Sequence, residues 1–326
     1  MLSIFLPILC LDRITPKLFL ISKYGYFVFT HEIPSVKIIY YFIKILHNNS
    51  LCKWHVIGFE CTRFNNMKKI GSKTIVFITG AFVSVECWDD WKDYFTNNGY
   101  RCHVPPWPNK NAPAAVLRRR HPDEAVASMR LTTLTEHFAD IIKALPEKPI
   151  IIGHSIGGLI VQILLQRDIA VAGVAIHPVA PQGVFVFSLA MLRAAWGPLG
   201  FFTSLKKSFM MSFSQWQFAF TNGMPLQQQQ TAYENFAIPE SKLISRDALT
   251  GAAHVDYKRS HLPLLIISGS TDQIVPAALN LANYKKYKLV SFCQTDYKEF
   301  EGRNHFVLGQ PTWMEDAAYI LKWLQL

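Results

Sequence analysis

Short apolar runs alternate with amphipathic stretches along most of the chain. Lys73 to Ile78 is a β-branched run that predicts a buried strand. Residues 86–97 place three aromatic side chains on one face and predict a helix, namely Trp88, Trp91 and Phe95. Further strands are predicted at 100–104, 149–152, 171–176, 262–269 and 298–300, and further helices at 133–145, 159–165, 277–287 and 315–323. Strands separated by helices predict an α/β fold with a mostly parallel sheet.

The alternation stops between residues 183 and 256. This stretch has no strand pattern, and up to Phe236 it holds twelve aromatic residues and four methionines. Around Met191, over 209–220 and over 232–236 it has the pattern of short helices. Because this many apolar side chains must be buried, we predict a helical insertion that packs on itself and on the sheet. Some of these side chains are expected to line a pocket for an apolar ligand.

Residues 1–66 differ from the rest of the chain. They are rich in Ile, Phe, Leu and Tyr, carry seven Lys and Arg against three Asp and Glu, and show no sustained period. The opening run 1–11 lacks a basic start and a small-residue cleavage site, which argues against a cleaved signal. The apolar run 36–46 is too short to span a membrane, which leaves peripheral membrane contact open. A competing hypothesis is that the working protein starts at Met67, directly before the first predicted strand.

Composition narrows the functional classes. Half of the 326 residues are hydrophobic and only 17% are charged, below the usual quarter for soluble proteins. A chain of this length and composition is expected to be globular with a large apolar core. The formal charge is +10, but Lys and Arg are scattered, so no nucleic-acid partner is expected. The one tight run, Arg118 to Arg120, is interpreted as a solvated face in preference to a site for an acidic substrate group. Six cysteines without a C-x-x-C pair or a metal-like cluster predict reduced thiols in a cytoplasmic protein with no metal site.

The predicted strand 149–152 runs into Gly153-His154-Ser155-Ile156-Gly157 and then into an apolar helix. A strand that brings a serine to the apex of a sharp turn between two glycines has the pattern of a nucleophile elbow. Such a turn strains its central residue and needs small neighbours. The free N–H groups of the following helix also favour negative charge at the serine. Taken alone, the pattern leaves open a plain turn whose serine caps the helix.

Two further polar residues follow predicted strands. Ser155, Asp272 and His305 are separated by 117 and 33 residues. Functional groups gather at the carboxyl ends of parallel strands, and a serine nucleophile needs a base that a carboxylate orients. Taken alone, Asp272 is equally well explained as an ordinary turn residue without a catalytic role. Three other histidines compete with His305 for the role of base, namely His154, His177 and His261.

Together these residues resemble the α/β-hydrolase superfamily, in its serine-nucleophile, esterase- and lipase-like form with a helical cap. The resemblance extends from about residue 73 to the C terminus and rests on Thr79-Gly80-Ala81-Phe82, Trp88, Gly153-His154-Ser155-Ile156-Gly157-Gly158, Gly269-Ser270-Thr271-Asp272-Gln273-Ile274-Val275-Pro276 and Gly302-Arg303-Asn304-His305-Phe306. It implies a mostly parallel, doubly wound sheet with a helical cap inserted before the strand that bears the acid. The implied domains are a core of residues 67–182 and 257–326, a cap of 183–256 and the atypical extension 1–66.

The resemblance also implies catalytic roles. Ser155 would be the nucleophile, His305 its base, and Asp272 the group that orients the imidazole. The backbone N–H groups of Ile156 and Ala81 would form the oxyanion hole.

Three residues are candidate substrate contacts on the same resemblance. Phe82 is one, and it is also the fallback for Ala81 as an oxyanion donor. His154 occupies the variable position of the elbow and is commonly structural in this family, and His177 ends a predicted strand beside the insertion. Thr79 stands where the family more often has histidine. This difference affects only the expected packing of that loop, because the histidine is not a member of the triad.

The expected function is hydrolysis of a carboxylic ester of a small or medium apolar molecule by a cofactor-free serine hydrolase. Ser155 argues against epoxide hydrolases and haloalkane dehalogenases, which use an aspartate nucleophile. Carbon–carbon bond hydrolases, lactonases, amidases and perhydrolases share the triad and stay open. Two other readings also stay open, a ligand receptor on the same fold and a lipase that touches membranes through residues 1–66. The sequence predicts neither the natural substrate nor the oligomeric state.

Overall fold

The computed structural model describes residues 70–290 and 293–325, and of the preceding part only the backbone of four strands between residues 17 and 63. The chain divides into two compact units, Met1–Lys68 and Lys69–Leu326. Each unit is described by itself. The expectation of no cleaved signal in 1–11 lies outside the described residues. Of residues 1–66, for which membrane contact was left open, only the backbone of the four strands is described.

The first unit contains an antiparallel sheet with strand order β1-β2-β3-β4. The strands are β1 (Lys17–Phe19), β2 (Tyr26–Ile33), β3 (Val36–Leu46) and β4 (Cys52–Arg63). The sequence shows no clear period here, so these strands were not predicted. The reason is visible in β3, where apolar residues are almost continuous and hide the period of two that identifies a half-buried strand.

The second unit is built on a six-stranded sheet with strand order β10-β9-β8-β7-β5-β6, and every pair in it is parallel. Its strands are β5 (Thr74–Ile78), β6 (Arg101–His103), β7 (Ile150–His154), β8 (Ala172–Ile176), β9 (Leu264–Gly269) and β10 (Thr295–Phe300). The four central strands are buried along their whole length, as expected for a parallel sheet covered on both faces. The predicted α/β fold with a mostly parallel sheet is confirmed.

Helices connect these strands. They are α1 (Asp89–Asn97), α2 (Ala114–Arg119), α3 (Glu124–Ala127), α4 (Leu131–Lys143), α5 (Ile156–Leu165), α10 (Ala277–Val290) and α11 (Trp313–Leu324). A 3₁₀ turn, Val85–Trp88, precedes α1. The predicted aromatic face is buried against the sheet, with the rings of Trp88 and Phe77 4.8 Å apart.

Between β8 and β9 the described chain forms helices and no strand. These are α6 (Leu189–Leu199), α7 (Phe213–Ala219), α8 (Leu226–Phe236) and α9 (Lys242–Asp247), followed by a 3₁₀ turn, Gly251–Ala253. We refer to residues 183–256 as the cap. The helices of the described residues are all too short or too polar to cross a membrane.

Candidate active site

The strand β7 delivers Ser155 to a sharp turn directly before α5. Ser155 has a left-handed backbone with φ of 55°, and its N–H donates to the carbonyl of Ile176 at 2.9 Å. A Cβ atom on Gly157 would lie 2.1 Å from the carbonyl oxygen of Ile78, and one on Gly153 would lie 2.3 Å from that of Gly157. Only glycine fits at these positions, because strand and helix approach so closely at the turn.

The structure brings Ser155, His305 and Asp272 together at the carboxyl ends of the strands. His305 Nε2 lies 3.0 Å from Ser155 Oγ, and His305 Nδ1 lies 2.7 Å from Asp272 Oδ2. All three residues are buried. The distances are those of a nucleophile, its base and the group that orients the base.

Asp272 accepts four hydrogen bonds. Its Oδ1 accepts from the backbone N–H groups of Ile274 and Val275, both at 2.8 Å, and its Oδ2 accepts from the Nδ1 atoms of His305 and His177. Burial alone would raise the pKa of Asp272, but the nearby His305 and the bonds from both histidines lower it well below its usual range. The carboxylate is therefore held ionised next to the base.

His177, which was expected to contact substrate, contacts the acid in the structure. It is fully buried with φ of 44°, and its Nδ1 lies 2.8 Å from Asp272 Oδ2. Burial lowers the pKa of His177, which keeps the ring neutral and lets Nδ1 donate to the carboxylate. In the sequence, His177 directly follows a buried strand and precedes the insertion. This position led to the prediction that it faces the pocket.

His154 also has a partner inside the protein. Its Nε2 donates to the carbonyl oxygen of His305 at 2.9 Å, and burial, followed by the effect of His305, holds its pKa well below the usual value. His154 therefore binds the backbone of the residue that serves as the base, and its contact with substrate stays a prediction. His261, the remaining competitor, lies elsewhere, with Nδ1 2.7 Å from the carbonyl of Leu262.

The loop after β5 runs against the nucleophile. A Cβ atom on Gly80 would lie 2.9 Å from Ser155 Cβ, so the chain at Gly80 passes directly beside the serine. The N–H of the next residue, Ala81, has no acceptor among the described residues. Ile156 is the first residue of α5, where N–H groups have no partner within the helix. Both N–H groups that the sequence suggested for an oxyanion are thus available.

Phe82 has a different role from its neighbour. Its N–H donates to Glu240 Oε2 at 3.3 Å, and its carbonyl accepts from the N–H of Ile238 at 3.0 Å. Since that N–H is occupied, Phe82 does not serve as the fallback for Ala81. Its buried ring packs edge to face against the ring of Phe209 of the cap, with 6.0 Å between centroids.

Cap residues cover the site. The ring of Phe220 lies 5.1 Å from that of His305, and Ser155 is only 4% exposed. A cavity of about 360 Å³ opens beside Phe306, the neighbour of the base, and is lined by Met224, Ala232 and Phe236 of the cap, but Ser155 does not line it. Ser155 is therefore enclosed, and the nearest cap ring to its base is that of Phe220.

One cluster among the described side chains has the composition of a metal site. The ligand atoms of His177, Asp272 and His305 lie within 4.8 Å of one another. These same atoms already hydrogen-bond to each other, and a cation there would compete with the bond between His305 and Asp272. The arrangement fits a proton-transfer chain better than a metal centre.

Comparison with known proteins bears on the second unit. Residues 75–317 match the sequence profile of the Alpha/beta hydrolase family, whereas no curated protein matches the chain. The fold is similar to that of a methylesterase from Arabidopsis, with 16% identity, coverage of 76% of this chain and 97% of that chain, and a TM-score of 0.54. It is also similar to a pyrethroid hydrolase from Sphingobium faniae, with 17% identity, coverage of 78% and 97%, and a TM-score of 0.52. A monoacylglycerol lipase from Paleococcus ferrophilus has 20% identity, coverage of 77% and 93%, and a TM-score of 0.55.

Proposed function

Because the chain belongs to the alpha/beta hydrolase family, we propose that it is a serine hydrolase that cleaves a carboxylic ester of a small or medium apolar molecule through an acyl-enzyme. The observation that carries the proposal is the chain of hydrogen bonds from Ser155 through His305 to Asp272, at 3.0 and 2.7 Å. The names of the similar solved structures, a methylesterase, a pyrethroid hydrolase and a monoacylglycerol lipase, support a reaction at an ester bond.

Acylation begins at Ser155. A serine hydroxyl is a weak nucleophile, so His305 Nε2 takes its proton as Oγ attacks the ester carbonyl. Asp272 keeps the Nδ1–H tautomer of His305 in place and stabilises the imidazolium that forms. His305 then gives the proton to the leaving alcohol, and the acyl group stays on Ser155.

The negative charge of the tetrahedral intermediate needs donors that are already in position. We assign this role to the N–H groups of Ala81 and Ile156, which approach the serine from the loop after β5 and from the start of α5. Loss of one such donor typically lowers the rate by a factor on the order of 100 or more. The N-terminal end of α5 adds a favourable electrostatic potential at the same place.

Water completes the cycle by attacking the acyl-enzyme, again with His305 as the base. The residues of the site supply each proton transfer, so the proposed reaction needs no cofactor. The rings of Phe82, Phe209 and Phe220 around the site favour an apolar acyl or alcohol group over a charged one.

The proposal is tested with a panel of esters of graded acyl length and with a fluorophosphonate probe. We expect the wild-type protein to be labelled at Ser155, and Ser155→Ala to lose labelling and at least about 10⁴-fold in kcat/KM. Ser204→Ala, which changes an exposed serine of the cap, is the control and should behave as wild type. Folded wild-type protein that is not labelled, or labelling that persists in Ser155→Ala, would contradict the proposal.

The same panel separates the other readings. A lactone, an amide and a β-diketone test for a lactonase, an amidase and a carbon–carbon bond hydrolase. A peroxide-dependent assay tests for a perhydrolase. Saturable binding of an ester without turnover would favour the receptor.

A further inference from the structure

A buried ion pair joins the cap to the core beside the candidate active site. Glu240 of the cap is 0% exposed and Lys110 of the core is 5% exposed, and Lys110 Nζ contacts Glu240 Oε2. The ammonium group also lies 3.9 Å from the ring centroid of Trp107. Removing two charges from water costs several kcal/mol per ion before their attraction is counted, so a buried pair is weak evidence for a role in stability.

The contacts of this pair converge on the loop between Thr79 and Phe82. At the end of the loop, the N–H of Phe82 donates to Glu240 Oε2 at 3.3 Å. At its start, the indole N–H of Trp107 donates to the carbonyl of Thr79 at 3.2 Å. Ala81, with its free N–H, lies between the two anchored ends.

The anchored end of the loop is strained. Phe82 has φ of 68°, in a region that non-glycine residues rarely occupy and that costs of order 1–3 kcal/mol. Its conformation is held from the cap, because Ile238 donates to the carbonyl of Phe82 and Ser84 donates to the carbonyl of Phe236. Glu240 supplies the remaining bond, to the N–H of Phe82.

Glu240 is itself fixed in place. Its Oε1 accepts from the N–H of Ser241 at 2.8 Å, and its backbone pairs with that of Phe209 in both directions at 2.8 Å. Lys110 balances the negative charge, which would otherwise oppose the charge of an oxyanion nearby. The position of the carboxylate is therefore set by the cap, and its charge is offset by the core.

We propose that Glu240, neutralised by Lys110, is a positioning residue of the oxyanion hole. It holds the strained backbone of Phe82 and thereby points the N–H of Ala81 at the carbonyl carried by Ser155. The oxyanion hole is then complete only when the cap segment around Glu240 is seated on the loop. The inference rests on the proposed function, since it assigns a role within the same site.

Two double variants test it, and both remove the two charges together. Lys110→Met with Glu240→Gln keeps an oxygen that accepts from Phe82, whereas Lys110→Met with Glu240→Leu removes that acceptor at similar volume. Replacing a buried ion pair by neutral or apolar side chains is often close to neutral for stability, so both variants are expected to fold. We expect the first to keep kcat within about 3-fold of wild type and the second to lose on the order of 10- to 100-fold in kcat. KM should change by less than about 3-fold, because the oxyanion donors that Glu240 positions act on the transition state.

The affinity for a tetrahedral inhibitor distinguishes a positioning role from a merely structural one, because a merely structural role would leave that affinity unchanged. The affinity for an aryl boronic acid should fall in the Leu-bearing double variant by about the same factor as kcat, since both depend on the oxyanion donors. Asp247→Ala is the matched control. Asp247 is another buried cap carboxylate that pairs with an arginine, Arg130, and accepts a backbone N–H, that of Leu131, but it contacts no residue of the loop. We expect its loss to lower stability and to leave kcat and boronic acid affinity unchanged.

The outcomes separate this inference from the proposed function. Equal kcat and equal inhibitor affinity in the two double variants would overturn the role of Glu240. An equal loss in Asp247→Ala would also overturn it, because the effect would then be general to the cap. If wild type itself neither turns over esters nor is labelled at Ser155, the proposed function fails instead.

Discussion

Three residues with left-handed backbone stand at the carboxyl ends of the adjacent strands β5, β7 and β8. Phe82, Ser155 and His177 have φ of 68°, 55° and 44°. Each is held by a hydrogen bond from its own N–H, to Glu240, to Ile176 and to Ile267 respectively. Such conformations persist only where surrounding structure enforces them, and they cluster at functional sites. Here Ser155 and His177 present polar side chains to His305 and Asp272, and Phe82 ends the loop that passes beside the serine.

Replacement of His177 tests its buried, neutral state. Because burial lowers the pKa of His177, the unfolded chain takes up the proton first as the pH falls. The stability that the neutral ring contributes is full above about pH 6.5 and is lost as the pH falls toward the value in the folded protein. His177→Asn keeps a side-chain N–H near Asp272 but does not titrate, so it should lose less stability between about pH 7 and about pH 5. The difference is at most about 1.4 kcal/mol per pH unit, measured by urea unfolding.

The control for this prediction is His103→Asn, which changes an exposed histidine of β6. It should keep the pH dependence of the wild type. If His177→Asn and wild type lose equal stability on acidification, then the folded protein takes up a proton at His177 as readily as the unfolded chain. That result would contradict the assignment of His177 as a neutral donor to Asp272.

Gly157 offers a test of the turn. A methyl group at Gly157 would lie 2.1 Å from backbone oxygen, whereas one at Gly251 would meet nothing within 4 Å. We expect Gly157→Ala to lose fluorophosphonate labelling by at least about 100-fold, because the strand and α5 must separate and move Ser155 away from His305. Gly251→Ala should be labelled at the wild-type rate, and similar labelling of both variants would show that the turn is not so tightly constrained.

At the scale of elements, the sequence was informative where the apolar pattern was long. The strands β5, β7, β8 and β9 and the helices α4, α5 and α11 were predicted within a few residues, because each carries a buried run or an apolar face. The short helices α2 and α3 were missed, since six and four residues are too few to show a period. For the candidate site, sequence motifs point to Ser155, Asp272 and His305, and the structure brings these three side chains together. The contacts of His177 and Glu240 depend on which strand ends and loops become neighbours, and no local pattern contains that information.

The arginine run illustrates the same limit. It was interpreted as a solvated face, and Arg119 and Arg120 are exposed. Arg118 instead donates to three carbonyl groups at the end of α8, those of Tyr233, Glu234 and Ala237, at 3.4, 2.6 and 2.9 Å. The last carbonyls of a helix have no partner within it, and basic side chains commonly satisfy them.

We therefore expect Arg118→Ala to destabilise the protein by about 1–3 kcal/mol, because it leaves helix-end carbonyls without a charged donor. Arg119→Ala should change the free energy of unfolding by less than about 0.5 kcal/mol, since its side chain is exposed. Denaturant unfolding of both variants is the measurement. An equal effect of the two substitutions would show that the contacts of Arg118 with α8 do not contribute to stability.

At the scale of the whole molecule, the two units have different architectures. The first has an antiparallel sheet, and the second has the parallel sheet, the cap and every residue that the proposed reaction uses. The match to the Alpha/beta hydrolase family, residues 75–317, also lies wholly inside the second unit. The strand ends, the start of α5 and the cap that form the candidate site all belong to the second unit.

This separation predicts that a chain starting at Met67 folds and keeps its activity. The core that supports the site is contiguous within Lys69–Leu326, so removal of residues 1–66 should leave kcat/KM for the preferred ester within about 3-fold of the full chain. Both forms are compared by ester turnover and by thermal unfolding, with Ser155→Ala in each as the inactive control. A truncated protein that is folded but inactive would show that the first unit contributes to the site. Peptides from residues 1–66 in mass spectra of the natural protein would rule out Met67 as its start, whatever the activity of the shorter form.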